Sequence, residues 1–245
     1  MSDTLENELK VLTTGILKQP LRELAKQFEA DHGCRVAASW GPSAGNSPEA
    51  NQVRIRNGEH VDVLLMVTTG MNNLIREGYF TPIVRQDVVT SKIGVAVRQG
   101  HPSVDVSSVE ALRQLLLNAH SIGYSEGASG SYVENTLFKR LGIQAELAGK
   151  MHLVLGQKFV GEAVASGEVE VGIQQISELK LVSDITILGP LPDAVQYTSV
   201  VSGAVSSKAR CQDLATRFLD FLCSDAATDT LLKAGLEIAP RQIAP

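Results

Sequence analysis

Short apolar runs alternate with amphipathic stretches along nearly the whole chain, and this alternation narrows the possible folds more than any other feature. Leu9 to Thr13 reads as a buried strand. A helix follows from about Lys18 to Asp31, with Leu17, Leu21, Leu24, Ala25 and Phe28 on one face and Gly33 at its end; Pro20 falls in the first turn, where its missing N–H costs nothing. A strand near Val36 to Trp40, a helix after Ser47-Pro48, an apolar strand Val61 to Val67 and a helix from Thr69 to Glu77 continue the series. Strands and helices in this order imply a parallel sheet with right-handed crossovers. The pattern restarts with a strand from Lys92 to Arg98, and then helix Val109 to Asn118, strand Ser121 to Tyr124 and helix Ser131 to Leu141. Strand His152 to Leu155, helix Gln157 to Ser166 and strand Val169 to Ile173 complete it. After Gly189-Pro190-Leu191-Pro192, a β-rich segment from Gln196 to Val205 leads into two helices, about Ala209 to Leu222 and Asp225 to Lys233, which read as closing the first unit.

The expected fold is therefore α/β with two lobes: residues 1–92 with 203–245 form lobe I, and residues 93–202 form lobe II. Two extended crossings, near Ile93 to Val97 and Tyr197 to Val205, join them and imply a cleft. In open α/β sheets, ligands bind outside the carboxyl ends of the strands. Three turns built from small residues fall at such ends: Thr13-Thr14-Gly15, Ser43-Ala44-Gly45-Asn46-Ser47, and Gly127-Ala128-Ser129-Gly130-Ser131. Small residues let a ligand approach the backbone, and the N–H groups at a helix start attract negative charge. A small oxyanion or carboxylate is the ligand these turns suit.

The bulk properties exclude several other classes. With 245 residues, 44% hydrophobic and 20% charged, the chain can bury a full core and carries no compositional bias toward disorder. A net charge of −5 without a long basic run speaks against nucleic acid. Cys34, Cys211 and Cys223 are odd in number and widely spaced, and the histidines lack ligand spacing, so neither a disulfide framework nor a metal site is expected. No Walker A, dinucleotide GxGxxG or GxSxG elbow appears, and no cofactor is expected. No apolar run is long enough to span a membrane. The polar, acidic stretch Met1 to Lys10 lacks signal-peptide features, which points to the cytoplasm for the sequence as written and to the periplasm if a leader had been removed. Nothing in the sequence sets an oligomeric state.

The chain resembles the type II periplasmic solute-binding proteins, in the branch of the molybdate-binding proteins, from Leu9 to Pro240. Val11-Leu12-Thr13-Thr14-Gly15, Gly58-Glu59-His60-Val61-Asp62-Val63-Leu64, Gly127-Ala128-Ser129-Gly130-Ser131-Tyr132, Gly167-Glu168-Val169-Glu170-Val171-Gly172-Ile173 and Gly189-Pro190-Leu191-Pro192 carry the resemblance. It implies two lobes that close on an anion held by hydroxyls and helix-start amides. By position, Thr13 or Thr14 would be the first-loop donor, Ser43 with Ala44 and Gly45 the second, Ser129 with Gly130 and Ser131 the third, and Gln174 or Gln175 the fourth. An ABC permease is an implied partner only for an exported form. The first loop departs from the Ala-Ser of a molybdate binder, and Gln174-Gln175 replaces a tyrosine region. The segment Gly172-Ile173-Gln174-Gln175-Ile176-Ser177-Glu178-Leu179 is similar to a branch that includes aconitate isomerase. That branch implies an alternative in which the same cleft isomerises a small unsaturated di- or tricarboxylate. Lys18, near the first turn of the first helix, or Glu126, at the mouth of the third turn, would then be the proton-transferring group. His60 reads as structural, at the opposite end of the sheet.

Overall fold

The long helices form where the apolar stripe repeats at helical spacing, and the central strands where apolar residues run continuously, as expected when both faces of a sheet are covered. The computed structural model describes residues 7–102 and 104–240, so most of the acidic N-terminal stretch lies outside the described residues. The first elements are β1 (Glu8–Thr13), α1 (Lys18–His32), β2 (Arg35–Trp40), α2 (Asn51–Arg56), β3 (Val63–Val67), α3 (Thr68–Arg76) and β4 (Pro82–Arg98). There follow α4 (Val109–Asn118), β5 (Ile122–Ser125), α5 (Ala128–Tyr132), α6 (Phe138–Arg140), β6 (Met151–Val154), α7 (Val160–Ser166), β7 (Val171–Gln175), α8 (Ile176–Leu179) and β8 (Ile185–Pro190). The chain ends with β9 (Thr198–Ser206), α9 (Gln212–Leu222), α10 (Asp225–Lys233) and β10 (Glu237–Ile238). Two compact units result: Met1–Thr90 with Val200–Pro245, and Ser91–Ser199. Among the described residues, no helix is long and apolar enough to cross a membrane.

Unit 1 is a twisted sheet ordered β2-β1-β3-β9, with β10 against the first half of β4. β1 runs parallel to β2 and β3, and β9 enters antiparallel beside β3. Leu12, Leu64, Met66, Met71, Leu74 and Phe80 form a core under α3. On the other face α9 and α10 rest on α1, with the Phe28 and Phe218 rings 5.0 Å apart at 71°. The two C-terminal helices thus pack within the first unit. At the amino ends of the strands, the buried Asp62 carboxylate accepts from the Lys10 amide (2.7 Å) and the Arg210 amide (2.9 Å) and lies 3.1 Å from His60 Nε2. Burial raises the proton affinity of Asp62, but those amides and the Arg210 guanidinium outweigh it and hold the carboxyl below its ordinary value.

Unit 2 places β5 parallel to β6 and β7, while the second half of β4 runs antiparallel to β7 and β8. Val95, Leu112, Leu116, Ile122, Phe138 and Ile173 centre its core. Between α5 and α6 the backbone widens into a π-helical turn, Val133–Leu137, an irregularity with no period signal of its own.

Three expectations need correction. The crossing strand begins at Pro82 and not at Lys92, because its first half is only part-buried and reads as polar. No strand is expected at β8, whose residues are mostly half-exposed and lack an apolar run. The third small-residue turn is shorter than expected, since α5 starts at Ala128 and not at Ser131.

Candidate functional site

In unit 1 the candidates gather at the carboxyl ends of β1 and β3. The carbonyl of Thr13, the last residue of β1, accepts from the Gly41 amide (3.1 Å) and from Asn51 Nδ2 (2.8 Å), so the chain leading into the second turn abuts the first. Thr13 and Thr14 are only 2% and 3% exposed, and Thr13 Oγ1 has no hydrogen-bond partner. An unpaired buried hydroxyl costs about 1–3 kcal/mol, which an acceptor arriving at that atom would recover. Thr14 has extended backbone and its side chain caps nothing, although a short 3-10 turn, Gly15–Leu17, starts directly after it.

Ser43, 3% exposed, accepts the Val67 amide at 3.2 Å at the entrance to α3. Accepting through a lone pair leaves the hydroxyl proton for donation. Ala44 and Gly45 follow, half-buried, and Gly45 takes φ +110°, a conformation that disfavours side chains. Asn51, fully buried, also keeps its Oδ1 without a partner. Nothing in the sequence singled out Asn51; only its bond to the Thr13 carbonyl does. Lys18 lies with Nζ 3.9 Å from the centroid of the Trp40 ring, in cation–π contact, and Trp40 pairs with Thr13 across β1 and β2. A lone tryptophan at a strand end beside a small-residue turn was the available signal, and it went unread.

In unit 2 only Glu126 and Gly127 separate β5 from α5. A Cβ on Gly130 would fall 1.5 Å from the Ser125 carbonyl oxygen, so the helix start sits directly on the strand end and only glycine fits. Ser129 is 3% exposed, whereas Ser131 is exposed and its amide closes on the Gly127 carbonyl at 2.9 Å. Gly127 is extended, and no side chain caps the helix. First-turn amides of such a helix have no intrahelical acceptor and point outward. Glu126 accepts the Gly156 amide at 2.9 Å, which ties the turn to the loop after β6. Tyr124, just before it, donates to Glu134 at 3.3 Å; burial and that carboxylate push its phenol up and keep it neutral.

Gln174 and Gln175 are the last two residues of β7, not the first residues past it. Both are nearly fully buried, and both serve neighbouring chain. Gln174 Oε1 accepts the Val160 amide at 2.8 Å, at the start of α7. Gln175, its amide turned to satisfy both ends, donates to Ser91 Oγ (2.7 Å) and to the Ser91 and Lys92 carbonyls (3.3 and 3.2 Å), and accepts from Ser199 Oγ (2.8 Å). It therefore bonds both crossing strands where they enter unit 2. Such partners are tertiary and invisible to local sequence pattern.

Residues 9–237 match the family of bacterial extracellular solute-binding proteins. The chain is 36% identical over 234 residues to an aconitate isomerase of a Pseudomonas species, covering 96% of this chain and 89% of that protein. Among solved structures it is similar to the periplasmic molybdate-binding protein of Azotobacter vinelandii, with TM-score 0.77, 20% identity, and 95% and 100% of the two chains covered. It is also similar to the sulfate-binding protein SubI of Mycobacterium tuberculosis, with TM-score 0.73, 15% identity, and 95% and 87% covered.

Proposed function

Because this chain belongs to the family of bacterial extracellular solute-binding proteins, we propose that it binds a small anion, either an oxyanion or a small carboxylate. The donors in unit 1 are the hydroxyls of Thr13, Thr14 and Ser43 with the amides of Ala44 and Gly45. In unit 2 they are the Ser129 hydroxyl and the Gly130 amide, with Gln174 and Gln175 as supports for the strand end behind them; the Ser131 amide, expected as a donor, is taken by the Gly127 carbonyl. The observation that carries the reading is the buried, unpartnered Thr13 hydroxyl beside two other buried hydroxyls and an uncapped chain turn. A ligand lacking acceptors would leave those groups unpaired, and that penalty is the source of selectivity. In an exported form the receptor serves an ABC permease; in the cytoplasm it has none to serve.

Thermal-shift measurements with molybdate, tungstate, sulfate, citrate and cis- and trans-aconitate test this, since binding to the native state raises the melting temperature by mass action. At least one of these anions should stabilise the protein, and Ser43→Ala and Ser129→Ala should each reduce the shift for the same anion. A shift that a substitution leaves unchanged would remove that hydroxyl from the donors.

The 36% identity to an aconitate isomerase favours a second reading, in which the same donors hold a small unsaturated tricarboxylate while a proton moves along its allylic system. Lys18 or Glu126 would carry the proton. The Lys18 ammonium over Trp40 suits a carboxylate anchor, and Glu126 is held in place by the Gly156 amide. Interconversion of cis- and trans-aconitate, followed by ultraviolet absorbance, decides between the readings. Conversion by the wild type but not by Lys18→Ala or Glu126→Gln supports catalysis, and no conversion by the wild type ends it.

A further inference from the structure

The groove between α1 and β2 is a second feature of unit 1: it shares Thr13 and Lys18 with the groups named above, and its other lining residues take no part in the anion loops. It encloses about 330 Å³. Lys18, Arg22 and Lys26 line one wall at intervals of four residues along α1. Val36, Ala38 and Trp40, alternate residues of β2 and hence on one face of that strand, line the other, and Leu21 and Ala25 complete an apolar floor. β2 is the outer strand of the unit 1 order, so the strand wall has no neighbour beyond it among the described residues.

The charge arrangement is unfavourable without a ligand. Like charges four residues apart on a helix repel, and cations near a helix start meet the positive end of the macrodipole. Lys18 is the first residue of α1, and the first turn contains no acidic residue. Among the described residues, neither Arg22 nor Lys26 takes part in an ion pair. Glu29, the carboxylate on this wall, accepts the Val36 amide at 2.7 Å and so closes the far end of the groove. In a chain of net charge −5, three cations in register over an apolar floor form a local field of opposite sign.

We propose that this groove is an accessory binding site for an aliphatic α,ω-dicarboxylate. Successive positions of this row rise about 6 Å along the helix axis, and the outer two about 12 Å. A compact tetrahedral oxyanion spans at most one such interval, whereas a dicarboxylate of matching length places a charge at each of two turns and lays its methylenes on Leu21, Ala25, Val36 and Ala38. Selectivity then follows chain length. The site lies within unit 1 and goes beyond the anion-receptor reading, because none of Arg22, Lys26 or Val36 belongs to the loop donors.

Trp40 is the single tryptophan of the chain, so its fluorescence reports on the groove directly. Adipate, suberate and malonate are titrated into the full-length protein, with calorimetry in parallel. Adipate or suberate should change Trp40 emission saturably while malonate does not, and the double substitution R22Q/K26Q should weaken that binding by about tenfold or more at an unchanged or higher melting temperature. Ser129→Ala, which alters only the anion loops of unit 2, should leave the dicarboxylate titration as it is. Three results overturn the proposal: no saturable change with adipate or suberate, equal binding of malonate, or affinity that survives R22Q/K26Q. Loss of the titration in Ser129→Ala also overturns it, by assigning the dicarboxylate to the loop donors; failure of the loop reading alone leaves the Trp40 response intact.

Discussion

Ser43 ties the second turn to the end of β3, because its Oγ accepts the Val67 amide and keeps its own proton for donation. Ser43→Ala should therefore have two effects. Loss of the acceptor lowers stability by about 1 kcal/mol, and loss of the donor weakens anion binding by about tenfold; urea unfolding and calorimetry read the two separately. Gly130 makes a sterner case. Its missing Cβ would overlap a backbone carbonyl oxygen, which cannot rotate away as a side chain can. Gly130→Ala should destabilise the protein by about 3 kcal/mol, measured by chemical denaturation, and displace the α5 start. The glycine was legible in the sequence as a ligand-approach residue; its steric partner, five residues upstream on the same chain, was not.

At the level of elements, legibility followed burial and periodicity. α4 and α10 keep a clean apolar stripe between recognisable ends, and their boundaries could be read to the residue. The first half of β4 alternates between exposed and part-buried positions and carries Arg85, Gln86 and Asp87, so its strand character comes from pairing and not from composition. Gln174 and Gln175 could be placed beside a strand end, but their roles depend on Val160, Ser91, Lys92 and Ser199, which are remote in sequence. Gln175→Leu should cost about 2 kcal/mol by leaving the Ser91 and Ser199 hydroxyls unpaired, and hydrogen exchange at residues 91–93 and 198–200 should rise with it. At the end of α1, Gly33 holds φ +61° with open space around the missing Cβ, so Gly33→Ala is strained by conformation alone and should lower stability by about 1 kcal/mol in thermal unfolding.

For the molecule as a whole, acid stability rests on carboxylates such as Asp62. Its native-state proton affinity is reduced relative to the unfolded chain, so its stabilising contribution is complete above the ordinary carboxylate value of about 4 and is lost as pH falls through the lower native value. Asp62→Asn should flatten the acid limb of a stability profile below about pH 4 while lowering the neutral plateau. A rise in the plateau would contradict the bonding described for that side chain. The family and the α/β class were readable because they depend on the order of elements. The partners of buried polar groups were not, because they depend on contacts far apart in the chain.

The discontinuous make-up of unit 1 has a consequence for biosynthesis. β3 has its β9 partner only after some two hundred residues have been made, whereas unit 2 is one uninterrupted segment. On the ribosome, the middle of the chain should acquire structure first, while the earlier-made amino-terminal portion waits with an open sheet edge for its last strand, exposed in the meantime to chaperones and to other nascent chains. Force-sensitive arrest reporters placed after residue 199 and after residue 240 should register two separate folding events in that order.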